Sequence, residues 1–506
     1  MSNAYQPNAF GVRSTGAFML KALLLIPLCG AAVLAVLPGR NVVLLRRVAI
    51  LTAGLTLLYA CYLLSAFESG SAAIQFFQTR PWNARLGSSF ALGVDGFSLP
   101  LILLTTFLSF VALLASTGIR SDAKVYFALV LFLEMAVLGV FTARDWSFFY
   151  VFWELTLIPG FFLIDRMGGP NRHRAALNFV LYTMGGSVFM LVALLLLYDA
   201  APGHSFAMAD MAVGGARLPL NTQMLIFAGL LIGFGVKLPI VPLHGWVPLA
   251  DVEAPNPVTI LLSGVMLKMG AYGLIRAAAT LPAAVLALQD GLALMAFVTL
   301  IYGGVLAWRQ TDLKAMVAYS SISHMGIVLL GIATLNVVGL TGALTQMVAH
   351  GLAAGMLFLV IGQLEERTHT RELAAYGSLN RSAPRFAFFM VFALLAAVGL
   401  PGSAGFIAEL HVLIGGFGRW GIWLVLLSLS LLISAAYALR VIRRLSTGPE
   451  RGIGSAGGVA LVDLRYGEVA TLSLLALTIL FIGCYPAPLL RLISASAAQL
   501  ARQFGA

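Results

Sequence analysis

The sequence predicts an all-α integral membrane protein of about 14 transmembrane helices, because apolar runs near 20 residues long recur from end to end. Two further observations agree. Only 10% of the 506 residues are charged and 60% are hydrophobic, where a soluble domain carries about 25% charged residues. The mean hydropathy is +0.95, and amphipathic surface helices are almost absent.

The spans fall near 16–38, 46–67, 96–118, 123–142, 146–165, 174–198, 222–246, 256–280, 289–308, 315–334, 338–364, 384–412, 419–442 and 467–487. The first has spanning length and no small-residue cleavage site, so it reads as a helix rather than a removed leader. After the last comes a short tail with no further spanning run.

The net charge of +11 does not point to nucleic acid. The basic residues sit in short loops between apolar runs, as the positive-inside rule describes. With the N-terminus outside, inside loops hold 19 Lys and Arg against 10 outside, and Lys237 and Lys268 complete the 31. Both termini are therefore expected outside. The loop after the seventh span is the exception, carrying Asp251 and Glu253. Cys29, Cys61 and Cys484 are far apart, make no metal or redox spacing, and are expected to be small buried hydrophobes.

Two spans look broken. The seventh contains Lys237-Leu238-Pro239 and Pro242, and the twelfth contains Gly399-Leu400-Pro401-Gly402. Proline removes a donor and clashes with the preceding turn. Such breaks persist inside a membrane only where the freed backbone meets protein or water. They sit five spans apart, so an odd number of spans separates equivalent points and the second copy is inverted. The predicted organisation is residues 1–122 for helices 1–3, 123–280 for a first five-helix repeat, 289–442 for a second inverted repeat, and 443–506 for a loop, helix 14 and the tail. Helices 7 and 12 are the discontinuous ones.

Ionisable groups within spans are costly and mark function. Here they are Glu134, Glu154, Lys237, Lys268 and Glu409. Burial weakens a lysine's hold on its proton and a nearby carboxylate strengthens it, so a Lys–Glu pair whose spacing changes is a proton switch. Glu134 either joins this set or hydrogen-bonds within the bundle. Ser320, Ser323 and His324 share one helical face, as do Gln346 and His350. They read either as interhelical hydrogen-bonding groups or as a water-linked relay, since histidine titrates near neutral pH. His244, just past the first break, either guards entry or caps carbonyls. His173, His204, His369 and His411 read as structural.

These residues sit in specific text: Asp95-Gly96-Phe97-Ser98-Leu99-Pro100, Phe152-Trp153-Glu154-Leu155-Thr156, Pro242-Leu243-His244, Asp312-Leu313-Lys314, Ser320-Ser321-Ile322-Ser323-His324-Met325-Gly326, and Glu366-Arg367-Thr368-His369. Over residues 90–490 the chain resembles the antiporter-like membrane subunits of respiratory complex I, most closely the M-type (NADH-quinone oxidoreductase subunit M, mitochondrial subunit 4). The resemblance implies that Glu154 pairs with Lys237 of the broken seventh helix. It also implies that Lys268 links two half-channels and that Glu409 serves proton exit. Three positions depart from the family's pattern: Leu249 where an aspartate is frequent, Asp251 where a histidine is, and Asn178 where a lysine is. The resemblance implies that all three fall on the inside proton-entry route.

The implied function is proton translocation within a redox-driven NADH:quinone oxidoreductase, an enzyme of which this chain would be one translocase subunit. No nicotinamide fingerprint, cysteine cluster or flavin motif is present. No cofactor is therefore expected here, and flavin, iron–sulfur clusters and quinone are expected in partner subunits of the electron transport chain. The expected partners are neighbouring antiporter-like subunits and the lipid of a bacterial inner membrane. A multi-subunit cation/proton antiporter, or a membrane-bound hydrogenase or carbon-uptake complex, would use the same intramembrane residues.

Overall fold

The structure, a computed structural model, describes residues 19–447 and 461–505. The expected start of the first span at residue 16, and the loop residue Arg451, lie outside the described residues. Among the described residues, twelve helices are long and apolar enough to cross a membrane, and thirteen if one bent pair counts as a single span. The shortfall from about 14 lies between residues 384 and 446, where half-helices interrupt the apolar run.

Polar residues set many helix starts. Asn41 caps the second span (Val42–Ala66), Asp145 the fifth (Trp146–Met167), Asp312 the tenth (Leu313–Ala333) and Asn336 the eleventh (Val337–Thr368). Each side-chain oxygen accepts from backbone N–H groups that the helix itself leaves unpaired. Both predicted breaks are present. The seventh span runs Leu220–Lys237, then unwinds, and resumes as a short helix, Val247–Glu253. The indole N–H of Trp246 donates to the carbonyl of Val236 at 2.7 Å, which satisfies one freed backbone group. Where the sequence predicts the broken twelfth span, Pro384–Ala397 and Ala404–Trp420 are separate helices.

Burial divides the spans. In the most apolar 18-residue windows of the eighth (Asn256–Thr280) and eleventh spans every residue is buried. The first, second, sixth (Arg172–Ala200), ninth (Gln289–Arg309) and last (Tyr466–Cys484) spans leave more than half of theirs half-buried or exposed. An outer layer thus faces lipid around a protein-filled centre. Small residues let the outer ninth span meet the inner tenth: a Cβ on Gly303 would stand 2.6 Å from the Ser323 nitrogen, and one on Gly326 2.7 Å from that of Leu300.

One expectation needs correction, and two segments outside the predicted spans are ordered. The segment between the second and third spans is an antiparallel hairpin, Gln75–Asn83 with Ser88–Val94, in an otherwise helical fold. It closes over the bundle end, burying Phe76, Leu92 and Val94. The tail has no further spanning run, as expected, and holds a helix, Ala487–Ala501, that packs chiefly on the eleventh span and also touches the third (Ser98–Ala115). The correction concerns the cysteines: Cys29, Cys61 and Cys484 are free and exposed. They lie on helices of the outer layer, where an apolar thiol meets lipid instead of core.

Candidate functional site

The eighth span contains a π-helical segment, Leu262–Met266, one turn before Lys268. Such bulges often mark functional positions in helices. Here the bulge aims a backbone carbonyl at the side chain: Lys268 Nζ donates to Ser263 O at 2.6 Å. The same Nζ lies 2.7 Å from His350 Nδ1 on the eleventh span. The imidazole accepts there when its proton is on Nε2, and that atom is buried without a partner.

From His350 the polar line continues sideways. Its ring is 5.5 Å from that of His324 on the tenth span. His324 Nδ1 lies 3.3 Å from Gln346 Nε2 and 3.8 Å from Glu409 Oε1. Lys268, His350, His324 and Glu409 are all buried. A cavity of about 10 Å³ beside Ser320, His324, Gln346 and His350 is near the volume that one water requires. Glu409 follows the second break, and the break itself makes its seat. Gly399 has φ +78°, and a Cβ there would lie 2.7 Å from Glu409 Oε2. Glycine alone meets both demands without strain.

Lys237 ends the first half of the seventh span and is buried. Its Nζ is 3.4 Å from Thr156 Oγ1 and 5.4 Å from the ring centroids of Trp153 and Phe179, a cation–π setting. No ion pair within 4.0 Å joins it to Glu154, whose Oε1 is buried without a partner. The two charges are thus neighbours that do not touch. Glu134, on the fourth span (Ala123–Thr142), is buried with both carboxyl oxygens unpartnered. His244 is half-buried, stacks edge-on with Tyr302 at 5.2 Å, and has no partner for Nδ1. With Arg174, Asn178 and Leu249 it lines a cavity of about 830 Å³.

Two buried clusters were not singled out from the sequence. Lys314, counted as an inside-loop residue, is buried in the first turn of the tenth span. Its Nζ donates to the carbonyls of Ala254 at 2.5 Å and Val252 at 3.2 Å. At the opposite end of the eighth span, Asp95 holds Arg144 at 3.2 Å and Arg276 at 2.7 Å. Burial alone would raise the Asp95 pKa, but the two guanidinium groups outweigh it and hold the carboxyl well below its ordinary range. The signals were the Asp-Leu-Lys and Asp-Gly-Phe-Ser texts, which spacing alone does not connect to partners. Among the described residues, no group of three His, Cys, Asp or Glu could hold a metal ion.

A family profile described as NADH:quinone oxidoreductase/Mrp antiporter, transmembrane, matches residues 143–434. The chain is 36% identical over 506 residues to NADH-quinone oxidoreductase subunit M of Rhodobacter capsulatus, covering 96% of this chain and 97% of that one. It is 38% identical over 480 residues to NAD(P)H-quinone oxidoreductase chain 4 2 of Thermosynechococcus vestitus, covering 92% and 89%. Among solved structures, a chain of respiratory complex I from Thermus thermophilus with bound NADH superposes with a TM-score of 0.87 at 31% identity, covering 96% of this chain and all of that one.

Proposed function

Because the chain belongs to the NADH:quinone oxidoreductase/Mrp antiporter transmembrane family, we propose that it is the proton-translocating membrane subunit of a redox-driven NADH:quinone oxidoreductase. Its path would run Lys268, His350, His324, Glu409. The observation that carries this reading is that line itself: four buried titratable side chains from four spans, in sequence, crossing the centre of the bundle.

Each step needs only proton exchange between neighbouring polar atoms. A protonated Lys268 gives its proton to His350 Nδ1 across 2.7 Å. The 5.5 Å between the rings and the 3.8 Å to Glu409 are spans that one water or a ring rotation bridges. Lys237 and Glu154 would bias the first step: moving the carboxylate nearer or farther changes how tightly Lys237 holds its proton. The segments 123–280 and 289–442 would be the two inverted units, meeting at Lys268 and His350. Flavin, iron–sulfur clusters and quinone would belong to partner subunits. The chain would sit in a bacterial inner membrane with both termini outside.

The test is proton uptake and quinone reduction by the intact complex in proteoliposomes. Lys268→Ala should assemble and lose most proton uptake. An assembled Lys268→Ala complex that pumps at the parental rate would remove this line from the path.

A further inference from the structure

The short helix Val247–Glu253 divides the wide cavity from the bundle centre. Pro248, Leu249 and Val252 line the cavity, together with the exposed Arg174 and with Gln310 and Ala315 of the tenth-span start. Asp251 is buried, 1% exposed, and one of its oxygens, Oδ2, has no partner. Its carboxylate faces the Ser263 hydroxyl and the ammonium groups of Lys314 and Lys268. Lys314 is already committed to two carbonyls, and Asp251 makes no ion pair within 4.0 Å. The other charges nearby are engaged as well. Glu253 accepts from the Asn171 N–H at 2.9 Å, and Arg371 pairs with Asp312 at 3.0 Å and Glu365 at 3.5 Å. Asp251 is thus a carboxylate with spare capacity, one residue from the cavity wall. Ser263, its neighbour, is the residue whose carbonyl holds Lys268.

We propose that Asp251 delivers protons from the cavity to Lys268 through the Ser263 hydroxyl. The proposal rests on the relay reading above. The Asp251 carboxyl gives its proton to Ser263 Oγ as that hydroxyl gives its own to the neutral Lys268 amine. The Asp251 O–H and the original Ser263 O–H bonds break, and a new Ser263 O–H and a Lys268 N–H bond form. The Ser263 hydroxyl, which now donates to Ser321 Oγ at 3.0 Å, rotates to do this. Water in the cavity then reprotonates Asp251.

The test uses the intact complex in proteoliposomes, with assembly checked for every variant. Two neutral replacements of different size, Asp251→Asn and Asp251→Ser, should each lower proton uptake about tenfold or more. Asp251→Glu should retain most of it. Either neutral variant, assembled and pumping at the parental rate, overturns the proposal. So does an assembled Asp251→Glu as inactive as the neutral variants, because the site would then need shape and not a proton. A Lys268→Ala control separates the two readings. If it pumps normally, the relay fails and Asp251 with it. If it does not pump while Asp251→Asn does, Asp251 alone is removed.

Discussion

Lys268 Nζ and His350 Nδ1 are 2.7 Å apart, although 82 residues separate them in sequence. Each is the other's nearest titratable contact in a fully buried part of the bundle. The eighth span approaches the eleventh closely because both present glycine: a Cβ on Gly351 would stand 2.8 Å from the Gly264 carbonyl. The contact therefore depends on the helix–helix packing, and on the π-bulge that aims Lys268 at it.

His350→Ala should lower proton uptake strongly in the reconstituted complex, and His350→Gln should not restore it. Glutamine fills the space and hydrogen-bonds Lys268, but it cannot exchange a proton at neutral pH. Equal rates for His350→Gln and the parent would make the histidine a packing group.

Lys237 is held by Thr156, Trp153 and Phe179 and makes no contact with Glu154. Glu154→Gln should therefore spare the stability of the assembled complex. Breaking a touching buried ion pair costs about 3–5 kcal/mol, and no loss of that size is expected. Proton uptake should nevertheless fall, and Glu154→Asp should keep part of it. Thermal melting of the purified variants, read beside their pumping rates, separates the two effects.

Asp95→Asn should destabilise the fold by about 3–5 kcal/mol, since it leaves two buried guanidinium groups without their anion. The sign with pH follows from the lowered pKa of Asp95. Its stabilisation is complete above the ordinary carboxylate value near 4 and is lost as the pH falls through the lower folded value. The parent protein should thus lose stability on acidification more steeply than Asp95→Asn. Melting temperatures measured over that range would show parallel curves if the cluster were unimportant.

Reporter fusions near residues 380 and 500 should report opposite faces of the membrane. The structure already groups the loops in two sets. Asn171, Glu253, Lys314 and Arg371 meet at one end of the eighth span, and Asp95, Arg144 and Arg276 at the other. Gly96 donates its N–H to Ser496 Oγ of the C-terminal helix at 3.0 Å, which places that helix at the Asp95 end. Fusions reporting the same face would overturn the expected arrangement.

Much of this was legible in the sequence for physical reasons. Proline and glycine in apolar runs announce breaks, and lysine flanked by apolar residues announces a group that burial must explain. The hairpin was not legible. Arg80, Pro81, Trp82 and Asn83 give no strand-like alternation, and only the covered bundle end makes the segment fold back. Contacts between spans were also hidden. Sequence places His350 on a helical face, but only packing turns that face toward Lys268 and leaves Glu154 near Lys237 without a direct ion pair.

Arg144 and Arg276 share a single carboxylate, so the cluster at that end of the eighth span keeps one uncompensated positive charge. Arg276 lies two turns beyond Lys268, about 12 Å along the same helix axis. On the proposed path, a proton arriving on Lys268 would meet a like-charged stopper ahead of it and a neutral acceptor to one side, at His350. Fixed arginine charge is one way that membrane pores exclude protons. Here it would act as a rectifier, sealing the straight route along the helix and leaving the lateral turn as the open one.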